Sequence, residues 1–291
     1  MTSSPYSFLQ HQQSARNAQT ATAWDHFASH RTQITNQLRG IVGRCVGRHA
    51  LRMCVLGAGN CNDLDLLELC QLFAQLTLVD IDRSALQAAV ARVGLEASDQ
   101  IEIRAPLDLT GLSPEFAHWS ECLPTPGVVK SALERLRGTS QLEVLSGGFD
   151  VVLSSCVLTQ LIDSAQRAIG EDHEEFFDLL SALRLRHIEH MLELLRGDGV
   201  GLLVTDLVST DTWPGMRELP IEQLPQAAAA AVRDKNFFSG VNPSVIYHLL
   251  KNHPTLSAKI SQVTPISPWI WDWGTRAYVV YGMQFRRSAH G

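Results

Sequence analysis

One stretch, Leu51 to Asp82, constrains this chain more than any other: LRMCVLGAGNCNDLDLLELCQLFAQLTLVDID. A short apolar run, Met53 to Leu56, opens it. The glycine turn Gly57-Ala58-Gly59 follows, then a predicted helix with an acidic first turn, Asn62-Asp63-Leu64-Asp65. A second apolar run, Leu76 to Val79, ends at Asp80. The order strand, turn, helix, strand is one βαβ unit with a glycine-rich crossing. Glycines let the backbone turn sharply and let a ligand approach with no Cβ in the way. The helix N-terminus beyond them offers free N–H groups. A carboxylate closing the second strand can hold a ribose diol. The pattern predicts a nucleoside-containing cofactor at the carboxyl edge of a parallel sheet.

The turn discriminates between cofactors. A dinucleotide fingerprint needs a third glycine where Asn62 stands. No Gly-Lys-Ser/Thr sequence occurs, which excludes a P-loop. Asp63 and Asp65 suit a helix dipole, repel a pyrophosphate and favour a nearby cation. S-adenosylmethionine carries a ribose, no phosphate, and both an amino and a sulfonium charge, so it fits better than NAD. Capping alone also accounts for the two acids, and both accounts stay open here.

These motifs resemble the class I S-adenosylmethionine-dependent methyltransferases. Val55-Leu-Gly57-Ala-Gly59-Asn-Cys-Asn62 and Leu78-Val-Asp80-Ile-Asp82 are similar to the first two family motifs. Ile101 to Asp108, Phe149 to Ser155, and Leu195 to Thr205 resemble the third, fourth and fifth strands in order. Two positions depart from the pattern: Val55 replaces a frequent acid, and Cys61 occupies a glycine position. The resemblance implies an α/β fold: a seven-stranded, mostly parallel Rossmann-like sheet with helices on both faces and an antiparallel C-terminal hairpin. It implies cofactor contacts from Gly57, Ala58, Gly59, Asn62, Asp80 and Ile81. Asp108, with Leu109 beside it, would face the adenine, and Ser154, Ser155 and Cys156 would sit at the end of strand four. A loop carboxylate capping the next turn is the other reading of Asp108.

Hydrophobic residues make up 45% of the 291, enough for a sizeable core. The net charge of -6 argues against a surface that tracks nucleic-acid backbone. Six cysteines occur with no CxxC pair, the usage of a reducing compartment. No apolar leader or membrane-length run is visible, so a cytoplasmic location is expected.

The N-terminal 50 residues read as a helical extension or lid ahead of a domain over 51–291. Residues 1 to about 15 are expected to fray, and helical spacing sets in from Ser14 to Val46. The resemblance implies that such leading helices fold over the cofactor pocket, which makes Trp24 and Phe27 candidate lid residues; the other reading is that they simply pack the helix on the sheet. His26 and His30 read as a solvated helix face. Two insertions, about 112–148 and 207–262, are expected to cap the substrate. Cys156 has no histidine near it in sequence and reads as a small buried hydrophobe. His187 and His190 read as an exposed face of a helix over Phe176 to Leu195, ended by Gly197. Val200 to Thr205 is strand five, with Asp206 as the candidate base if an acceptor arrives protonated. The aromatic content around Trp213, Phe237, Phe238 and Tyr247 points to an apolar or aromatic acceptor. Trp269, Trp271 and Trp273 alternate, so their rings share one side of an extended segment. They wall the acceptor pocket or cover the sheet edge, and Arg276 beside them can pair with an acid or stack on a ring. The substrate candidates are Trp24, Trp213, Phe238, Trp271 and Arg276. No metal set is apparent. The expected activity is methyl transfer from S-adenosylmethionine to a small or medium-sized acceptor. A non-catalytic, cofactor-binding regulatory or scaffold protein is the alternative, and a nicotinamide-dependent oxidoreductase a third reading.

Overall fold

A computed structural model describes residues 7–45, 50–138, 142, 144–145 and 147–289. Seven strands form one sheet in the order β3-β2-β1-β4-β5-β7-β6. They are β1 (Arg52–Leu56), β2 (Gln75–Val79), β3 (Ile101–Arg104), β4 (Phe149–Ser155), β5 (Leu195–Ser209), β6 (Ile260–Asp272) and β7 (Ala277–Arg287). Neighbours from β3 through β5 pair in parallel, while β7 runs antiparallel to both β5 and β6. This is the α/β sheet with a C-terminal hairpin that the sequence implied. The central strands β1 and β4 are buried on both faces, as parallel strands covered by helices on either side must be.

The helices divide between the two faces. On one lie α2 (Ala28–Gly43), α3 (Leu66–Leu72) and α4 (Arg83–Arg92), closing a core around Met53, Val55, Leu76 and Leu78. On the other lie α5 (Ser113–Glu121), α6 (Pro126–Gly138), α7 (Val157–Ile169), α8 (Phe176–Leu194), α9 (Leu224–Arg233) and α10 (Pro243–Asn252). An N-terminal α1 (Ser7–Thr20) lies against α5, and a short α11 (Pro254–Ser257) precedes β6.

Several local expectations are corrected. Helix α1 begins at Ser7, inside the stretch expected to fray, because Leu9 is buried and Asn17 bonds to Asp82. The crossover helix does not begin at Asn62. Cys61 takes a left-handed conformation, and the chain turns once more before Asp65 caps α3 by accepting from the Glu68 N–H. Gly197-Asp-Gly199 lies within β5, which is longer than expected because it pairs with β4 on one side and β7 on the other. His187 and His190 are buried, not exposed: α8 packs between other helices and β4 and β5. His30 is also buried. His26 stands on a short 3-10 turn, Asp25–Phe27, and not on the same helix. The 112–148 insertion supplies α5 and α6, whose apolar faces pack on α1, α7 and α8. Val46, on which the leading helical pattern was to end, lies outside the described residues.

Candidate cofactor and acceptor site

Two adjoining cavities open at the carboxyl ends of β1, β2 and β4. The larger has a volume of about 820 Å³ and the smaller about 60 Å³. Gly57 and Gln160 border both, as do Gln12, Gln13 and Arg16 of α1. The glycine turn makes this junction possible. Gly57 has a φ of +69°, and a Cβ there would stand 2.0 Å from Val157 Cγ2. Only glycine permits both the turn and the close approach of α7.

At the smaller cavity Asp80 is buried at the end of β2. Its Oδ2 accepts from the Gly59 N–H at 2.8 Å, and its Oδ1 accepts from the Asp82 N–H at 2.8 Å. Each oxygen keeps a lone pair for a further donor. Burial pushes this carboxyl up to about 6, with the two backbone N–H groups opposing. Ile81, Leu107, Asp108 and Leu109 complete the wall opposite Leu9 of α1. Asp108 already caps its own turn: its Oδ1 accepts from the Thr110 N–H and hydroxyl, and its Oδ2 accepts from the Ser113 N–H at 3.0 Å. The slot is narrow, with α1 forming one of its walls.

The larger cavity is polarised. Around the glycine turn and the carboxyl ends of β4 and β5 its lining includes Gly59, Asn62, Asp63, Ser155, Cys156 and Asp206. Burial pushes the Asp63 and Asp206 carboxyls up to about 6, opposed by the hydroxyls of Ser155 and Thr159 respectively. Thr159 Oγ1 donates to Asp206 at 2.5 Å. Cys156 is buried with a left-handed backbone at the start of α7, and burial together with Asp206 holds its thiol protonated. The rest of the lining includes an aromatic wall: Phe27, Phe238, Trp271, Trp273 and Tyr278, with His30 and Arg276 among them. Trp271 stacks on Tyr278 at 5.1 Å and on His30 at 4.6 Å between ring centres.

Of the residues singled out by sequence, Gly57, Ala58, Gly59, Asn62, Ser155, Cys156, Asp206, Phe238, Trp271 and Arg276 line the larger cavity. Asp80, Ile81, Asp108 and Leu109 line the smaller. Three stand elsewhere. Ser154 lies 2.7 Å from His187 Nε2 on α8, because strand alternation turns it away from Ser155. Trp24 is held between the guanidinium groups of Arg31 and Arg92, at 3.6 and 4.4 Å from its ring centre. Trp213 packs against the α5–α10 core. Neither cavity draws a wall from 112–148, while 207–262 contributes Phe237, Phe238 and Ser239. The sequence reading expected helices in the N-terminal 50 residues but began them at Ser14, so it missed Gln12 and Gln13 of α1 as wall residues, and it missed His30. The Trp269 indole N–H donates to His30 Nδ1 at 3.0 Å across 239 positions, a separation no local pattern reveals.

Among the described residues no group of three or more His, Cys, Asp or Glu side chains could hold a metal ion, and no helix is long and apolar enough to cross a membrane. No protein-family model and no curated protein sequence matches the chain. Among solved structures the chain is similar to an O-methyltransferase family protein from Burkholderia thailandensis. That match has 13% identity and a TM-score of 0.46, over 96% of this chain and 60% of that one. It is similar to magnesium protoporphyrin IX methyltransferase from Synechocystis PCC 6803, solved with bound SAH, at 12% identity and TM-score 0.46, over 91% and 86% of the two chains. An rRNA methylase from Streptococcus thermophilus matches at 10% identity and TM-score 0.40, over 86% and 93%. The chain thus spans less than two thirds of the first of these structures.

Proposed function

We propose that the protein transfers a methyl group from S-adenosylmethionine to a small or medium-sized acceptor. The observation that carries this reading is the arrangement of Asp80. A buried carboxylate with spare lone pairs closes β2, 2.8 Å from the backbone of the Gly57–Gly59 turn, where one cavity meets the other. A ribose on Asp80 would leave the ring of the nucleoside toward Ile81 and Leu109, and the amino-acid end toward Gly59, Asn62 and Asp63. The residues fit the group. The carboxylates suit a cationic cofactor and repel a pyrophosphate, and Gln12 offers a buried Oε1 with no partner among the described residues. Entry requires α1 to shift outward, since Leu9, Gln12 and Arg16 occupy the slot.

The cofactor supplies an electrophilic methyl on a positive sulfur. The protein's part is to align the acceptor with it and to exclude water. The aromatic wall would orient an acceptor ring by stacking. Asp206, with its carboxyl near 6, is placed to take a proton from a hydroxyl or ammonium acceptor, while Thr159 holds its orientation.

Calorimetric titration with S-adenosylmethionine, S-adenosylhomocysteine and NAD tests the reading on wild type and Asp80→Ala. Micromolar binding of the first two, weakened at least about tenfold in the variant, is the expected outcome. Binding of NAD alone, or of none of the three, would sink it. Turnover on any acceptor separates an enzyme from a non-catalytic cofactor-binding protein.

A further inference from the structure

The wall facing away from the cofactor end carries an excess of buried donors. Trp269 donates to His30 Nδ1, so the His30 proton sits on Nε2, and burial keeps the ring neutral by pushing it down to about 3. His30 is 1% exposed, and its Nε2 has no partner among the described residues. The same is true of Trp271 Nε1, Trp273 Nε1 and Arg276 Nε. All four side chains border the larger cavity. Elsewhere Arg276 is engaged: its Nη2 donates to Ser209 at 3.2 Å and pairs with Asp211. Buried N–H groups without acceptors are costly, and a cluster of four on one cavity wall needs a ligand rich in acceptors. The carboxyls of Asp63 and Asp206 border the same cavity, and the Arg276 charge reaches Asp206.

We propose that His30, Trp271, Trp273 and Arg276 form the binding site for a carboxylate that anchors the methyl acceptor. This rests on the methyl-transfer reading of the cavity. The two carboxylate oxygens offer about four lone pairs, matching the four N–H groups in number. The Arg276 guanidinium, paired with an exposed Asp211 and within reach of Asp206, supplies the positive charge that favours the anion over an amide. The nitrogens are shielded from solvent, so small rotations of their side chains accompany binding. Asp63, beside the glycine turn, repels the same anion, which directs the acid group toward the indoles and the reacting atom toward the cofactor.

The test is calorimetry on protein saturated with S-adenosylhomocysteine, titrated with benzoate and phenylacetate and then with benzamide and benzylamine. The acids are expected to bind at least about tenfold tighter than the amide and the amine. Trp271→Phe and Trp273→Phe keep the ring and remove the N–H. Each should weaken the acids about tenfold, the worth of a hydrogen bond to a charged group, and leave S-adenosylhomocysteine affinity unchanged. An amine that binds as well as the acids, acids that do not bind, or acids indifferent to both substitutions would overturn the proposal. A loss of S-adenosylhomocysteine affinity in the variants would also overturn it, because the wall would then serve the cofactor's own carboxylate. If wild type fails to bind S-adenosylhomocysteine, the methyl-transfer reading falls. The acid titration on the bare protein still reads the wall.

Discussion

Three carboxyls at the site, Asp63, Asp80 and Asp206, share one perturbation with one cause. Burial raises each to about 6 because the charged form has lost water. For Asp206 the folded value lies above the unfolded one near 3.9, so the ionised group destabilises the fold above pH 6. Asp206→Asn keeps an acceptor for the Thr159 hydroxyl and removes the buried charge. The variant should therefore be more stable than wild type at pH 8, by on the order of 2 kcal/mol. The difference should vanish as pH falls toward 4, where wild type is neutral in both states. Thermal melts at the two pH values check this. If Asp206 takes the acceptor's proton, the same variant should lose about 10²-fold or more in kcat. A functional group kept at a cost in stability is what such a comparison would reveal. His187 shows the opposite sign. Its ring is buried and neutral, pushed down to about 4 by burial alone. Its contribution is fully present above pH 6.5 and is lost as pH falls toward 4. His187→Gln retains a partner for Ser154 and should flatten the acid side of the stability profile, read as denaturation midpoints from pH 7 to 4.5.

At the scale of elements, α1 and the β6–β7 hairpin decide what the sheet edge can hold. Helix α1 is tied down by polar contacts: Arg16 to Asp163, the Asn17 side-chain amide to Asp82 at 3.1 Å, and Asn60 and Asn62 to α1 backbone oxygens. It contributes little apolar burial beyond Leu9, as its mixed, weakly amphipathic sequence dictates. Apart from the buried Asn17–Asp82 contact these bonds are partly exposed, so local opening of α1 is expected to cost little. Arg16→Ala removes one partly exposed ion pair, worth up to about 1 kcal/mol, and should speed both association and dissociation of S-adenosylhomocysteine up to about fivefold. Stopped-flow fluorescence checks this, and unchanged rates would mean that α1 does not move as a unit. The hairpin is built to stay. Trp269 is buried and hydrogen-bonded to His30, and Trp271 lies between His30 and Tyr278.

For the whole molecule, the site lies where two cores meet at one sheet edge. Gly57 touches Val157 of the α5–α10 side, while Asp80 and Asn62 belong to the loops above α3 and α4. A ligand that binds only the folded state stabilises it by about 2.7 kcal/mol at a hundredfold excess over Kd. For a chain of this size that is a rise of roughly 5–10 °C in Tm. S-adenosylhomocysteine should produce it and Asp80→Ala should abolish it, by differential scanning fluorimetry. The sequence by itself determined the local grammar. Apolar runs, the glycine turn and Asp80 at a strand end are short-range patterns, and backbone sterics and the burial of strands leave them few ways to fold. The hairpin was equally plain in its alternation. What only the tertiary structure decided depends on residues far apart in the chain. Ser154 and Ser155 are neighbours, yet pleating sends one toward α8 and the other into the cavity. Trp24, a candidate lid or packing residue by sequence, is held between Arg31 and Arg92, which only the structure reveals. His30, His187 and His190 carried no sequence sign of burial, because a histidine's environment is set by what packs over it. The four donors around the indoles that have no partner among the described residues are brought together by the convergence of β6, β7 and α2. Periodicity reports which face of an element is buried, whereas convergence of distant elements decides which chemistry the buried face meets.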